Sequence, residues 1–183
     1  MVNCKQLKEE MMTTTTPRSG CPVNAAVEIL GDRWSMIVLR DVMFGDRRHF
    51  RTMQRESEEG IASNILTSRL RNLLDAGLLT REDPGAGRRA AYSLTEAAIQ
   101  LVPVLAELGW WGLRHRPTTE VLRVRAQVLH DGGPPLWEVF MNELRQHHLG
   151  IPAPQTGRPT VHKQLETAYA EAIDAGRTNE KTA

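Results

Sequence analysis

The chain has 183 residues, of which 40% are hydrophobic and 25% are charged, and its 23 basic and 22 acidic side chains leave a formal net charge of +1. This composition is typical of a soluble globular protein. It excludes a disordered or fibrous chain and a uniformly basic nucleic-acid coat protein, but it is compatible with a local basic patch.

The sequence carries no targeting or metal-binding signal. Its longest apolar runs are far shorter than the roughly 20 residues that a membrane-spanning helix needs, and residues 1–10 lack the apolar stretch of a signal peptide. Cys4 and Cys21 are too few for a disulfide framework and lack the CxxC spacing of a zinc site. We therefore expect a cytoplasmic protein with no metal, no cofactor and no membrane partner.

Composition along the chain predicts three regions. Residues 1–19 are expected to form a flexible N-terminal arm, because they are rich in threonine and charge. Residues 20–117 hold the densest apolar periodicity and form the predicted domain. Residues 118–183 form a predicted helical extension, with a linker at 150–159. The sequence Asp-Gly-Gly-Pro-Pro at 131–135 is a strong helix breaker inside that extension.

The predicted domain opens with three helices. Pro22 suits the first turn of a helix, and apolar residues recur after it at helical spacing. The pair Gly31-Asp32 separates this helix from a second one, which ends at Gly45. A third, short helix is expected from Phe50, directly after the basic cluster Arg-Arg-His at 47–49.

A fourth helix is opened by Ser63 or Ala62 and closed by Gly77, which stands where a C-cap belongs. It is amphipathic, with leucines on one side and polar residues on the other. The apolar side consists of Leu66, Leu70, Leu73 and Leu74, and the polar side includes Asn64, Ser68, Arg71 and Asp75.

Two short strands follow the fourth helix, at Leu78–Glu82 and Ala90–Leu94. The connector between them is rich in glycine and arginine and predicts a β-hairpin. A fifth helix starts near Leu101 and is kinked or delayed by Pro103. The fold class is therefore mainly α with a small β-hairpin wing, in the element order of a winged helix-turn-helix.

Several short strings follow one another along residues 21–113. They include Cys-Pro-Val at 21–23, Ile-Leu-Gly-Asp-Arg-Trp at 29–34, Leu-Arg-Asp at 39–41, Leu-Thr-Ser-Arg-Leu at 66–70, Gly-Leu-Leu at 77–79, Tyr-Ser-Leu-Thr at 92–95 and Pro-Val-Leu at 103–105. In this order the strings resemble the HxlR-type bacterial transcriptional regulators. The resemblance implies a cytoplasmic, homodimeric DNA-binding protein whose fourth helix enters the major groove and whose wing lies over the neighbouring minor groove.

The chain also departs from the family pattern. Ala62 stands where the family often has Ser, so the helix cap is expected to shift to Ser63. Asn64 stands where the family often has Lys or Arg, which removes one cation. The wing tip differs as well, so the operator sequence does not transfer from a relative.

Ten residues are candidates for DNA binding. Short polar side chains such as Asn64, Thr67 and Ser68 can contact base edges, whereas arginines can fork onto phosphates or guanine. Alternatives are a solvated charged face, a capping role for Ser63 or Asn64, and a structural role for Arg69. The candidates are Arg48, Arg51, Ser63, Asn64, Thr67, Ser68, Arg69, Arg71, Arg88 and Arg89.

Apolar residues on the first and fifth helices exceed what one small domain can bury, which predicts a homodimer. They are Val23, Val27, Leu30, Leu101, Leu105, Leu108 and Trp111. Residues 136–146, with Leu136, Val139, Phe140 and Leu144, are a further amphipathic helix expected at this interface. Trp34, Trp110 and Trp111 are interpreted as core or interface residues rather than a ligand site.

Cys21 precedes Pro22 at a predicted helix start, where the helix dipole favours a thiolate. Since some regulators of the resembled family sense oxidants or electrophiles with a cysteine here, Cys21 is a candidate redox sensor. The alternative is an inert residue at a helix start.

The predicted function is sequence-specific transcriptional regulation, as a repressor that binds an inverted-repeat operator and responds to a ligand or to cysteine modification. No catalytic motif occurs, and His147-His148 lacks a third metal ligand, so we expect neither an enzyme nor a metal site. Two alternatives remain open. One is a winged-helix module that binds proteins, and the other is a small-molecule sensor with its pocket in residues 118–183.

Overall fold

The computed structural model describes residues 19–82, 85, 89–152, 154 and 157–180, with side chains up to residue 176 in the last stretch. The described residues form two compact units, one that ends at Thr95 and one that begins at Glu96. The first unit contains α1 (Pro22–Leu30), α2 (Arg33–Gly45), α3 (Phe50–Arg55), α4 (Ser63–Asp75), β1 (Leu79–Glu82) and β2 (Ala91–Leu94). The second contains α5 (Glu96–Ile99), α6 (Val102–His115), α7 (Glu120–Leu149) and α8 (Val161–Glu180).

The boundary between α1 and α2 lies at the predicted Gly31-Asp32 pair. The carboxylate of Asp32 caps α2 by accepting hydrogen bonds from the backbone N–H groups of Trp34 and Ser35, each at 3.0 Å. The Ser35 hydroxyl donates to the other carboxylate oxygen. This cap satisfies N–H groups that have no partner inside the helix, which is why the helix begins here.

Helix α4 packs its leucine side, as predicted, against the rest of the first unit. Leu66, Leu70 and Leu73 are almost completely buried. The helix ends in a Schellman motif, in which Gly77 N–H donates to the carbonyl of Leu74 and Leu78 N–H donates to that of Leu73. The φ of Gly77 is +67°. A residue without a Cβ adopts this left-handed conformation without strain, so the predicted role of Gly77 is confirmed.

The two strands pair in an antiparallel hairpin with Leu79 opposite Leu94 and Glu82 opposite Ala91. Each strand is one residue shorter than predicted. Of the connecting tip, residues 83, 84 and 86–88 lie outside the described part of the chain. The predicted Arg88 is among them.

In the second unit, two helices lie where the sequence predicts a single fifth helix. A short helix, α5, precedes α6, and Pro103 lies in the first turn of α6, where its missing N–H removes no hydrogen bond. The predicted breaker at 131–135 does not end α7 but kinks it at Gly133, whose φ and ψ are 55° and −158°. The Trp137 indole donates to the carbonyl of Leu129 at 2.7 Å across this kink.

Helix α8 is joined to α7 by a side-chain cap. The Glu143 carboxylate accepts from the backbone N–H of Val161 at 2.8 Å and from that of His162 at 3.4 Å. Phe140 and Leu144 are buried. The prediction that these two residues add to a dimer interface is therefore wrong, because their side chains are already covered within one chain. Val139 is exposed, and its place at such an interface stays a prediction.

The fold is mainly α with a two-stranded antiparallel sheet, and its α3–turn–α4 segment followed by the β1–β2 hairpin makes it a winged helix-turn-helix. None of the described helices has both the length and the apolar composition needed to cross a bilayer.

Candidate nucleic-acid interface

The outward side of α4 is polar. Because successive helix residues rotate by about 100°, burial of the leucines places the intervening short side chains in solvent. The exposed residues of α4 include Ser63, Asn64, Thr67, Ser68 and Arg71. Four of them offer hydroxyl or amide groups, which match the donors and acceptors of base edges in a major groove.

The N-terminus of α4 differs from the prediction. Ser63 is the first helical residue and Ala62 occupies the N-cap position, so the expected cap at Ser63 is wrong. No side chain caps this end. The reason is the backbone of Ala62, which is extended while its carbonyl accepts the first helical hydrogen bond from Leu66. Ser63 is therefore free of a capping role.

The hydroxyl hydrogen of Thr67 is used in a hydrogen bond within α4. Its hydroxyl donates to the backbone carbonyl of Ser63 at 2.8 Å. The hydroxyl oxygen retains lone pairs and can accept a hydrogen bond from outside the helix, and the side chain also carries a methyl group. A base-edge donor or a thymine methyl would suit this side chain.

Three of the predicted arginines are exposed: Arg51 on α3, Arg71 on α4 and Arg89 beside β2. Within the described residues, their side chains form no hydrogen bond or ion pair. A guanidinium in solvent is available to a phosphate, because it loses no internal partner on binding.

Arg69 is directed to other residues of its own unit. Its guanidinium lies 3.5 Å from the Asp32 carboxylate that caps α2. With the Asn72 amide oriented to satisfy its neighbours, the Asn72 oxygen accepts from Arg69 at 3.1 Å. This arrangement supports the structural alternative for Arg69, since it ties α4 to the start of α2.

A network of ion pairs, not anticipated from the sequence, holds the turn between α3 and α4. Asp41 is buried and lies 2.7 Å from Arg40 and 3.1 Å from Arg47. Arg40 also binds both carboxylate oxygens of Glu59, at 2.6 and 2.9 Å. The acidic cluster at 56–59 and Arg40-Asp41 were visible in the sequence, but they are too far apart in the chain to be paired by spacing.

This network has a pH signature. The hydrogen bonds from Arg40 lower the pKa of Glu59 below its ordinary value. A lowered pKa in the folded state means that the stabilisation is present above the unfolded-state pKa and is lost as the pH falls through the folded-state pKa. We expect Glu59→Gln to lower the free energy of unfolding by up to about 1 kcal/mol at pH 7, the range of a partly exposed pair.

Urea unfolding of the wild type and of Glu59→Gln from pH 7 to pH 3 measures this effect. The difference in the free energy of unfolding between the two proteins should shrink below about pH 4.3, the ordinary pKa of a glutamate. Glu58→Gln is the control, because Glu58 is exposed and has no side-chain partner among the described residues. The stabilising role of the Arg40–Glu59 pair is contradicted if Glu59→Gln loses as much unfolding free energy at pH 3 as at pH 7. It is also contradicted if Glu58→Gln loses as much as Glu59→Gln.

The HxlR-like helix-turn-helix profile matches residues 29–120, about half of the chain. The chain belongs to the HxlR-like helix-turn-helix family. The matched HxlR-like region runs from the end of α1 through α2, α3, α4 and the two strands to the start of α7.

Relatives agree with this assignment. An uncharacterized HTH-type transcriptional regulator of Mycobacterium tuberculosis is 35% identical over 135 residues, which are 72% of this chain and 70% of the relative. YdeP of Bacillus subtilis, another uncharacterized HTH-type regulator, is 31% identical over 56% of this chain and 80% of its own. This HxlR-like protein is therefore a transcriptional regulator of the helix-turn-helix type.

A solved structure shows the same fold. PA1607, described as a candidate transcription factor, superposes with a TM-score of 0.52 and 32% identity. The superposition covers 58% of this chain and 73% of PA1607.

Besides the polar surface of α4, this HxlR-like chain exposes apolar side chains in both units. No residue of α1 is buried, and Val23 and Val27 are 69% and 55% exposed. On α6, Leu108 is 50% and Trp111 55% exposed. Leu105 is buried, so it does not join the exposed set. Exposed apolar residues at spacings of three and four on one helix form a stripe that is suited to a partner surface.

The remaining predicted residues have diverse surroundings. Trp110 does not lie at the surface stripe but stacks on His130, with ring centroids 3.6 Å apart. Trp34 is half-buried under the guanidinium of Arg33 at 4.3 Å. Cys21 is an exposed free thiol at the N-cap position of α1, and its side chain makes no capping hydrogen bond. Cys4 lies outside the described residues.

Proposed function

We propose that this protein is a sequence-specific transcriptional repressor that binds an inverted-repeat operator as a homodimer in the cytoplasm. In this proposal α4 enters the major groove and the β1–β2 hairpin lies over the neighbouring minor groove. The observation that carries it is the α4 surface, where buried leucines present Asn64, Thr67 and Ser68 outward. Exposed arginines on α3, α4 and beside β2 complete the contact with phosphates.

The dimer follows from the apolar stripes on α1 and α6. Burial of apolar area stabilises association by about 25 cal/mol per Å² before the costs of ordering, so large exposed side chains on two helices favour a second copy of the chain. A twofold dimer presents two α4 helices, which requires two half-sites about one helical turn apart. Repression is part of the proposal, since a dimer bound at a promoter can block access of RNA polymerase without any further contact.

Selection from a pool of random duplexes tests this proposal. The recovered sequences should contain an inverted repeat with half-site centres about 10–10.5 base pairs apart, or a multiple of that spacing. Recovery of random sequence despite duplex binding would reject sequence specificity. Failure to bind any duplex at low salt would favour the alternative of a protein-interaction module.

Cys21 is proposed as the site through which oxidants or electrophiles relieve binding. Its thiol is exposed at the start of α1, the helix whose apolar stripe we assign to the dimer. Addition of this thiol to a quinone forms a carbon–sulfur bond at the expense of a carbon–carbon π bond of the ring, the thiol proton is transferred to a quinone oxygen, and the product is a hydroquinone thioether. The attached ring is a bulky polar group at that interface, which should weaken the dimer and hence the operator complex.

We expect a quinone to lower operator affinity about tenfold or more for the wild type, corresponding to at least about 1.4 kcal/mol. Cys21→Ser should be insensitive, and Cys4→Ser should respond like the wild type. Equal responses of all three proteins in an electrophoretic mobility-shift titration would eliminate Cys21 as the sensor.

A further inference from the structure

Arg48 and His49 lie along the outer edge of β2, immediately before α3. The backbone N–H of Tyr92 donates to the Arg48 carbonyl at 2.8 Å. The Arg48 Nε donates to the Tyr92 carbonyl at 3.1 Å. A single residue therefore satisfies both backbone groups of Tyr92 on the edge that β1 leaves unpaired.

Two more contacts extend this pairing. A terminal guanidinium nitrogen of Arg48 donates to the hydroxyl of Ser93, a residue that is 1% exposed. His49 Nδ1 lies 3.0 Å from the carbonyl of Ala90, and because a carbonyl only accepts, Nδ1 carries the hydrogen. The backbone of His49 is extended, as in a strand, and α3 begins at the next residue. We call Arg48 and His49 the wing clamp.

These contacts bear on the predicted role of Arg48 in DNA binding. Its side chain is half-buried, and contact with a phosphate would require it to abandon the carbonyl of Tyr92 and the hydroxyl of Ser93, both in buried residues. Leaving buried acceptors without donors is costly. Arg51 lies on α3 close by and is exposed, so it can reach a phosphate without such a loss.

We propose that the wing clamp positions the hairpin, so that Arg48 acts on DNA through Arg89 rather than by its own contact. A two-stranded hairpin is only marginally stable by itself, and a third paired edge fixes it. The clamp holds Ala90, which directly follows Arg89 in the chain. The wing clamp thereby fixes the position of Arg89 relative to α3. This inference rests on the proposed function, because Arg89 is assigned there to DNA.

A double-mutant cycle of Arg48→Lys and Arg89→Ala tests the clamp. Lysine keeps the charge but lacks the planar fork that binds a carbonyl and a hydroxyl together. Operator affinity is measured across a salt series. Arg89→Ala should lower the salt slope by about 0.9 per lost phosphate contact, or about 1.8 for a dimer. Arg48→Lys should lower it by a similar amount, and the double variant should be no weaker than Arg89→Ala.

Arg51→Ala is the matched control, and its loss of affinity should multiply with that of Arg89→Ala. The clamp is overturned if Arg48→Lys retains the wild-type slope or if its loss multiplies with that of Arg89→Ala. Ser93→Ala, which removes one acceptor and no charge, replaces Arg48→Lys in the cycle should the latter fail to fold.

Hydrogen exchange separates this inference from the proposed function. Without DNA, the Tyr92 amide hydrogen should exchange about tenfold faster in Arg48→Lys than in the wild type, a change of about 1.4 kcal/mol in local opening. If no duplex binds the wild type, the proposed function fails but the exchange rate still decides the clamp. Unchanged exchange at Tyr92 overturns it.

Discussion

Val27→Glu and Trp111→Glu are each expected to convert a dimer into a monomer and to abolish tight operator binding. Both side chains are 55% exposed, so the substitutions place charge on the apolar stripes without entering the core of either unit. A dimer binds with the summed free energy of two half-sites, whereas a monomer retains one. Because specific complexes are typically about 10³–10⁷ tighter than non-specific ones, loss of half the contacts should bring operator affinity close to the non-specific level.

Sedimentation at micromolar concentration measures the first part of this effect. The wild type should sediment at twice the 20.5 kDa of one chain, and both variants at the single-chain mass. Glu107→Gln is the control, since Glu107 is exposed on the same helix α6. A wild type that is monomeric, or variants that remain dimeric, would show that these stripes are not the interface.

Thr67→Ala and Ser68→Ala are expected to reduce the preference for the operator and to leave non-specific binding nearly unchanged. A good contact to a base edge discriminates by about 1–3 kcal/mol. In a twofold dimer each substitution removes two such contacts, so the preference should fall by about 2–6 kcal/mol, roughly 30-fold or more.

Arg71→Ala provides the contrast on the same helix. Its exposed guanidinium is assigned to a phosphate, so its loss should weaken operator and scrambled duplexes alike and lower the salt slope. Both duplexes are titrated across a salt series. If Arg71→Ala changes sequence preference, or if Thr67→Ala and Ser68→Ala weaken both duplexes equally, the division between base and phosphate contacts is wrong.

The local signals in the sequence were sufficient for most elements of the first unit. Leucines at helical spacing identified α4, and Gly77 identified its end because the Schellman motif requires a left-handed residue. The cap of α4 is the exception, because a serine next to an alanine suggests a cap at Ser63, whereas the helix begins at Ser63 and Ala62 takes the N-cap position. A cap depends on one residue's dihedral angles, which spacing does not fix.

Long-range pairing could not be predicted from spacing. The sequence predicts a DNA contact for Arg48 and leaves both a DNA contact and a structural role open for Arg69, but the fold brings Tyr92 and Ser93 to the first and Asp32 to the second. The exposed Arg51 and Arg71 have the same residue type and no such partner among the described residues. Only the tertiary arrangement separates the two groups.

The second unit shows the same limit. Gly133 and the following prolines predicted a break, and the structure accommodates them in a kink that the Trp137 indole bridges. The predicted domain boundary between residues 117 and 118 stays a prediction. The two compact units of the structure divide the chain between Thr95 and Glu96.

Hydroxyl-radical footprinting of the selected operator tests the central claim most directly. The account predicts two protected segments related by twofold symmetry, with centres about one helical turn or a multiple of it apart, and one dimer bound per duplex. The same footprint should disappear with Val27→Glu at the concentration that saturates the wild type. A single unsymmetrical protected segment, or protection that is independent of sequence, would contradict it.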